Sequence, residues 1–339
     1  MSRVRDLASI LTASSIMATD TEVSAVSAQI PANVAGKNFV INGNFDFWQR
    51  GTSFVSPMGV YTTDRWSNDT SNMTISQQSS GAPSGSLYYL RTTSTGGSAY
   101  TDFYHFFETN NIALLRGKTV TYSFKIRKSG TTPAGNFVLT LQKSASVDAG
   151  RLSTWTTVSS ISTPFSSIST GTSSSDWTTI TATADIPHDG TANSLRFIGG
   201  FNTAQSSGIV VDIAQVQLEI GSVATPFSRA GGNISTEENL CRRYYQDTGV
   251  VGHTAYTTNG VMGFVFPVPM RVTPSATFSY GGTTNNIYRL LDAYQAVLTS
   301  PTVIITDKGI TNMYAFTPTG WASGAGAGIN LFWKLNAEL

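Results

Sequence analysis

The chain has 339 residues and a formal net charge of +1; 12% of its residues are charged, 40% hydrophobic and 11% aromatic. That balance leaves no global field to draw it to nucleic acid or anionic lipid. A single cysteine, Cys241, excludes an intrachain disulfide framework and a cysteine-based metal site, and no apolar run reaches membrane-spanning length. The charged share is about half the usual one, which suits strands with hydroxyl-bearing outer faces better than long charged helices. Aromatic residues recur throughout and argue against disorder.

Residues 2–18 carry the clearest helical pattern. Val4, Leu7, Leu11, Ser14 and Ala18 follow three-four spacing, with Ile10 beside the stripe. Thr19 and Glu22 form a capping box that opens a second short helix through Val23 and Val26, and Pro31 ends it. The stripe is too poor in large apolar residues to hold a helix alone. It must pack on its own domain, on a sister chain or on another protein. The linker-like run Pro31–Gly36 favours the latter two. Residues 1–36 are therefore expected to be a helical anchor or oligomerisation segment, with Val4, Leu7 and Leu11 as its seam. One partner helix would cover so short a seam incompletely, which slightly prefers a trimer over a dimer. No continuous apolar run marks a signal peptide, which fits synthesis in a cytoplasm.

From Phe39 to Phe227 the pattern is all-β. Val120–Ile126 alternates with Val120, Tyr122, Phe124 and Ile126 on one face, and Phe137–Leu141, Trp177–Ala184 and Ile209–Ile220 are further strands. Within the last, the alternation changes phase between Ile213 and Val216, predicting a bulge. The Ser/Thr-rich stretch Ser159–Asp176 reads as a loop or a ragged hairpin. Trp48, Trp66, Trp155 and Trp177 lie in or beside strands and are expected in the core, and Cys241 is expected as a small buried side chain. Roughly eight to ten strands with polar turns imply a sandwich over residues 37–230.

Arg229–Asn233 is a hinge into a C-terminal β-domain, residues 231–339. Thr236–Glu238 opens a short helix, Asn239–Tyr245, and strands follow at 250–256, 261–266, 276–280, 287–291, 303–305, 313–316 and 329–334. Pro267, Pro269 and Pro274 make the connection after the second of these an edge or a crossing, since proline cannot donate to a ladder. The fold class is thus mainly β: a helical anchor, a jelly-roll sandwich and a smaller C-terminal sandwich.

Catalytic residues are expected to be none. His105, His188 and His253 have no second histidine or cysteine at metal spacing, and neither a nucleophile elbow nor a P-loop occurs. Gly324–Gly328 precedes a strand, not a phosphate-binding helix. The carboxylate pairs Asp102/Glu108 and Asp212/Glu219 read as surface charges on strands, although spacing in space is invisible at this level. Sugars stack on flat aromatic rings. Trp321, on a Gly-rich loop, and Tyr280, Tyr288 and Tyr294, around the GGTTNN loop, are therefore the glycan-binding candidates.

Five segments recur in order: Phe39–Gly51 (FVINGNFDFWQRG), Asp64-Arg65-Trp66, Ala224–Phe227 (ATPF), Leu240–Gln246 (LCRRYYQ) and the closing Asn336–Leu339 (NAEL). Together they resemble a family of bacteriophage virion proteins, tail fibres or appendages whose middle is a jelly roll similar to carbohydrate-binding modules. The resemblance covers roughly residues 38–339 and implies several things. The opening NGNF and the strand before ATPF would pair near the middle of a sheet. A structural calcium could sit near the first and last strands, with Asn44, Asp46 and Asp212 as oxygen donors. The protein would be a homotrimeric fibre located in the virion, with other virion tail or capsid proteins and host surface polysaccharide as partners. A purely structural capsid-decoration, collar or baseplate component, and a glycan hydrolase, are the competing expectations.

Overall fold

The structure is a computed structural model that describes residues 36–96, 100–253, 260–280, 283–284, 287–291, 294–298, 304–308, 312–317 and 328–339, with side chains for 36–96, 101–247, 266–275 and 334–339. The expected anchor with Val4, Leu7 and Leu11, and the loop bearing Trp321, lie outside the described residues.

Twelve strands form the first body: β1 (Ser53–Val55), β2 (Met58–Tyr61), β3 (Trp66–Ser71), β4 (Met73–Gln78), β5 (Tyr89–Ser94), β6 (Tyr100–Phe107), β7 (Thr119–Ser129), β8 (Asn136–Ser144), β9 (Thr156–Pro164), β10 (Thr178–Asp185), β11 (Ser194–Phe201) and β12 (Val210–Ile220). They pair antiparallel in two six-stranded sheets, ordered β1-β4-β5-β12-β7-β10 and β2-β3-β6-β11-β8-β9. Consecutive strands repeatedly change sheet, as in a jelly-roll-like sandwich.

The core follows from the alternation. Val120, Tyr122, Phe124 and Ile126 of β7 face Phe137, Leu139 and Leu141 of β8 and Leu195 and Phe197 of β11, all almost fully buried. Phe137 lies 5.4 Å from Phe124 and 5.9 Å from Phe103, and Tyr122 lies 5.6 Å from Phe197. Truncating one such ring to alanine costs about 3–5 kcal/mol. Trp48 and Trp66 belong to this core. Trp177 is buried in a separate cluster with Tyr89 and Ala214. Trp155 is only half-buried, against expectation.

The expected bulge is present: the β12–β7 register shifts between Ala214 and Gln217, where Gln215 takes a left-handed φ of 53°. Of the stretch Ser159–Asp176 expected as a loop or ragged hairpin, residues 159–164 are the second part of strand β9, paired with β8, and the rest is the short 310 turn Phe165–Ser167 and irregular chain. β9 ends its sheet, so most of its side chains stay wet and no apolar alternation marks it.

Helix α1 (Ile234–Arg242) starts before the expected Thr236, because Asn233 caps it by accepting from the Thr236 amide at 3.0 Å. It ends at Arg242, and Tyr245 already belongs to the next strand. The remaining strands are β13 (Tyr245–His253), β14 (Gly260–Val265), β15 (Ser275–Tyr280), β16 (Thr283–Thr284), β17 (Ile287–Leu291), β18 (Tyr294–Leu298), β19 (Ile304–Lys308), β20 (Asn312–Thr317) and β21 (Gly328–Asn336). One antiparallel sheet runs β16-β15-β21-β17-β18, with β13 also on β21; another runs β14-β20-β19. The three prolines lie between β14 and β15, which belong to different sheets, so this connection is a crossing.

Candidate functional site

Four of the five segments that carry the family resemblance converge, and they build a buried hub. Asn42 and Phe45 take left-handed φ angles of 57° and 56°, so NGNF is a turn, not a strand. The turn lets Asn42 Nδ2 donate to Phe47 O, Thr63 Oγ1 and Asp64 O at 3.0, 3.0 and 2.9 Å. Trp66 Nε1 donates to Asn42 O at 3.0 Å. The expected strand pairing is not formed, since β12 lies between β5 and β7, but the segment runs beside it: Phe39 N donates to Leu218 O at 2.9 Å and Val216 N to Gly43 O at 2.8 Å. A Cβ on Gly43 would lie 2.0 Å from Val216 O, so the approach requires glycine.

Arg65, 1% exposed, pairs with Glu338, donates to Phe106 O at 2.6 Å and stands 3.5 Å over the Tyr244 ring. Arg50 reaches Asp64 and Glu338 at 3.5 and 3.2 Å and lies 3.7 Å over Tyr245. Tyr61 Oη donates to Leu339 O at 2.9 Å. Glu237 of α1 accepts from the Asn42 and Gly231 amides, both at 2.6 Å. Burial raises Asp64 to about 6 and Glu237 to about 7. Burial, then Arg65, holds His105 well below its usual range, with Nε2 at 3.1 Å from Ile41 O. Cys241 is fully buried here, as expected. ATPF is tied down separately: Thr225 N donates to Glu219 Oε1 at 2.8 Å at the end of β12. These side chains face one another and hold the sandwich to the chain beyond it.

The calcium candidates already have protein partners. Asp212 is fully buried and pairs with Arg91 at 2.7 Å and Arg127 at 2.8 Å. Asp46 pairs with Arg229 at 2.8 Å, and Asn44 Oδ1 accepts from Ser86 Oγ at 2.5 Å. Among the described residues no three His, Cys, Asp or Glu side chains form a metal-binding group. The reading of Asp212, Glu219 and Glu108 as surface charges is corrected: all three are buried, and Glu108 meets Arg243 at 3.1 Å.

The outer face of the second sheet is different. Register places Asp69, Asp102, Gly200, Val138 and Ser162 in one row, and Ser67, Tyr104, Ile198, Thr140 and Ser160 in the next. A third row runs Phe106, Arg196, Gln142 and Thr157. A shallow cleft of about 200 Å³ lies over Asp102, Thr140, Gln142, Ile198 and Gly200. Any side chain at Gly200 would strike Thr101 O at 2.0 Å. Beside the cleft, Phe106 stacks on Tyr104 at 6.0 Å and meets Trp155 at 6.0 Å. Arg196 spans Trp155 and Tyr104 at 4.5 and 5.3 Å and is fixed by Gln142 Oε1 at 2.8 Å. Burial first, then Asp102, pushes the Tyr104 phenol up to about 12, so it stays protonated and donates to Asp102 at 3.4 Å. Phe106 and Tyr104 are buried beneath this face, so its aromatic surface is the half-buried Trp155 ring, beside hydroxyls, an amide and a carboxylate, the groups that bind sugars.

Sequence reading missed this face. Its signal was present in the alternation of Asp102, Tyr104 and Phe106 with Phe103, His105 and Phe107, but nothing local tells which set faces inward. Of the earlier candidates, Tyr288 and Tyr294 lie on the paired strands β17 and β18, while Tyr280 is on β15, separated from β17 by β21. Their side chains, like Trp321, lie outside the described residues.

No protein-family model and no curated protein matches the chain. Solved structures resemble its fold. The enzymatically active domain of bacteriophage CBA120 tailspike protein 4 is 10% identical, with 55% of this chain and 22% of that chain covered and a TM-score of 0.36. The module TmCBM61, solved with β-1,4-galactotriose, is 13% identical over 54% of this chain and 99% of its own, with a TM-score of 0.31. The C-terminal family 22 carbohydrate-binding module of Clostridium thermocellum Xyn10B is 13% identical over 49% and 98%, also at 0.31. The aligned part thus spans the length of the isolated modules but under a quarter of the tailspike domain.

Proposed function

We propose that this protein is a non-enzymatic virion component, a homotrimeric tail fibre that attaches through residues 1–36 to other tail or capsid proteins and binds host surface glycan. The observation that carries the binding role is the outer face of the second sheet, where Trp155, Tyr104 and Arg196 flank a cleft floored by Gly200. The virion assignment rests on the ordered motifs. Host-envelope polysaccharide should bind the isolated protein, and Trp155→Ala should weaken that binding about fivefold, in line with roughly 1 kcal/mol for a stacked ring. Absence of any binding would favour a purely structural capsid-decoration, collar or baseplate role. The C-terminal candidates Trp321, Tyr280, Tyr288 and Tyr294 form a second proposed receptor surface; Trp321→Ala should then lower adsorption to host cells without unfolding the protein.

One observation favours the hydrolase reading. Asp69 and Asp102 are direct register partners on that face, with Arg151 at 3.1 Å from Asp69. Adjacent carboxylates are the machinery of glycoside cleavage. Release of reducing ends that is lost in Asp102→Asn would replace the binding role with catalysis.

A further inference from the structure

A groove runs along the outer face of the first sheet, where residues 222–229 fold back over β7, β10 and β12. Two hollows of about 340 and 440 Å³ share Lys125, Gln215, Pro226 and Phe227. These volumes fall within the ~300–1,000 Å³ of small-molecule sites. Register sets the floor: Lys125 lies between Ala214 of β12 and Thr179 of β10. The bulge turns Gln215 aside, where its amide donates to Ser84 O and Ser86 Oγ at 2.8 and 2.9 Å. Half-buried Phe227 provides an apolar wall and Ser123 adds a hydroxyl, while the Thr225 hydroxyl already donates to Glu219.

Charge separates this groove from its surroundings. Arg91 and Arg127, on the same sheet, share the buried carboxylate of Asp212 and are held by it away from the groove's floor. Lys125 is half-buried, and its Nζ donates to the neutral Thr179 hydroxyl at 3.1 Å. No described Asp or Glu lines either hollow; Arg229, at the end of the larger one, is already paired with Asp46 at 2.8 Å, so Lys125 carries the charge available to a ligand. A solvent-accessible ammonium beside a hydroxyl and an aromatic ring suits a ligand that brings an anion on a polar, ring-shaped body. We propose that this groove binds a carboxylate-bearing saccharide, with the uronate or sialate carboxylate on Lys125 Nζ and the sugar's C–H face against Phe227. The site is separate from the outer face of the second sheet and does not depend on it.

The test is titration calorimetry of the full chain with tri-galacturonate, a hyaluronate hexasaccharide and α2,8-linked trisialate, each beside its carboxyl-reduced form. At least one acidic glycan should bind. Its carboxyl-reduced form should bind at least tenfold more weakly, and Lys125→Gln should reproduce that loss while Trp155→Ala does not. Phe227→Ala should also weaken binding, with its unfolding curve recorded because Phe227 is partly packed. Lys125→Gln keeps a polar side chain at a half-exposed position and supplies the decisive comparison should Phe227→Ala fail to fold. Failure of all three acidic glycans to bind, binding indifferent to Lys125→Gln, or binding lost in Trp155→Ala alone would each overturn the proposal. If neutral glycan binding is absent while Lys125-dependent binding persists, the face of the second sheet is refuted and the groove stands.

Discussion

Asp212 holds two arginines, and Arg127 has no solvent to fall back on. Both side chains of that pair are fully buried. Removing one partner of a buried pair costs about 3–5 kcal/mol, because the other charge is left uncompensated. Asp212→Ala should therefore lower unfolding free energy by that amount in urea titrations; a loss under 1 kcal/mol would show that water reaches Arg127. Since Asp212 is engaged, added calcium should leave the melting temperature unchanged, and a rise would restore the metal reading of Asn44, Asp46 and Asp212. Glu237 gives a pH signature. Burial raises it from 4.5 to about 7. Between those values the native state holds a proton that the unfolded chain lacks, so the stability it confers is whole below pH 4.5 and lost as pH rises through about 7. His105 acts in the opposite sense: its contribution is present above pH 6.5 and lost as pH falls. Subtracting the curve of Glu237→Gln cancels His105. The difference, wild type minus variant, should shrink by on the order of 3 kcal/mol from pH 4.5 to pH 8. A flat difference would show that the two amide donors keep Glu237 ionised throughout.

At the scale of elements, what was legible depended on which side chains a strand buries. β7 and the bulge in β12 were readable because one face is apolar and its phase is interrupted. β9 was not: as the last strand of its sheet it meets water along most of its length, and its hydroxyl side chains look like a loop. NGNF was expected where an opening strand would lie, yet it forms a turn, in which the two N–H groups of the Asn42 side chain are shared among Phe47 O, Thr63 Oγ1 and Asp64 O. The charge contacts were invisible for another reason. Arg65 and Glu338 are 273 positions apart, and periodicity reports only neighbours. The closing residues should accordingly behave as part of the sandwich. Ala337 N donates to Tyr244 O at 2.8 Å, Arg271 Nε to Ala337 O at 2.9 Å, and Glu338 compensates both Arg65 and Arg50. Glu338→Ala should destabilise the whole protein by about 3–5 kcal/mol in denaturant titration. Local fraying of the last strand with an unchanged main transition would contradict this.

For the whole molecule, the mainly β architecture and the order of its motifs were legible, while the site was not. Residues that a motif search singles out, from Asn42 and Arg50 to Tyr244 and Glu338, turn inward to join the sandwich to the strands that follow. The faces left for partners are written in ordinary alternation and carry no motif. The same separation bears on assembly. The first described contacts of the chain, Gly36 N to Ala230 O at 3.0 Å and Lys37 Nζ to Pro226 O at 2.6 Å, already lie on the sandwich. The core and hub described above use residues from 38 onward. Deleting residues 1–35 should thus leave a cooperative β protein with its melting temperature within a few degrees of the full chain. If, as proposed, the protein is a virion fibre with Val4, Leu7 and Leu11 as its seam, the same deletion should convert a trimer to a monomer in mass determination and remove the protein from virions. Truncated chains that still reach particles at normal occupancy, or a full-length protein that is monomeric or dimeric, would place attachment or self-association in the sandwich or the C-terminal strands instead.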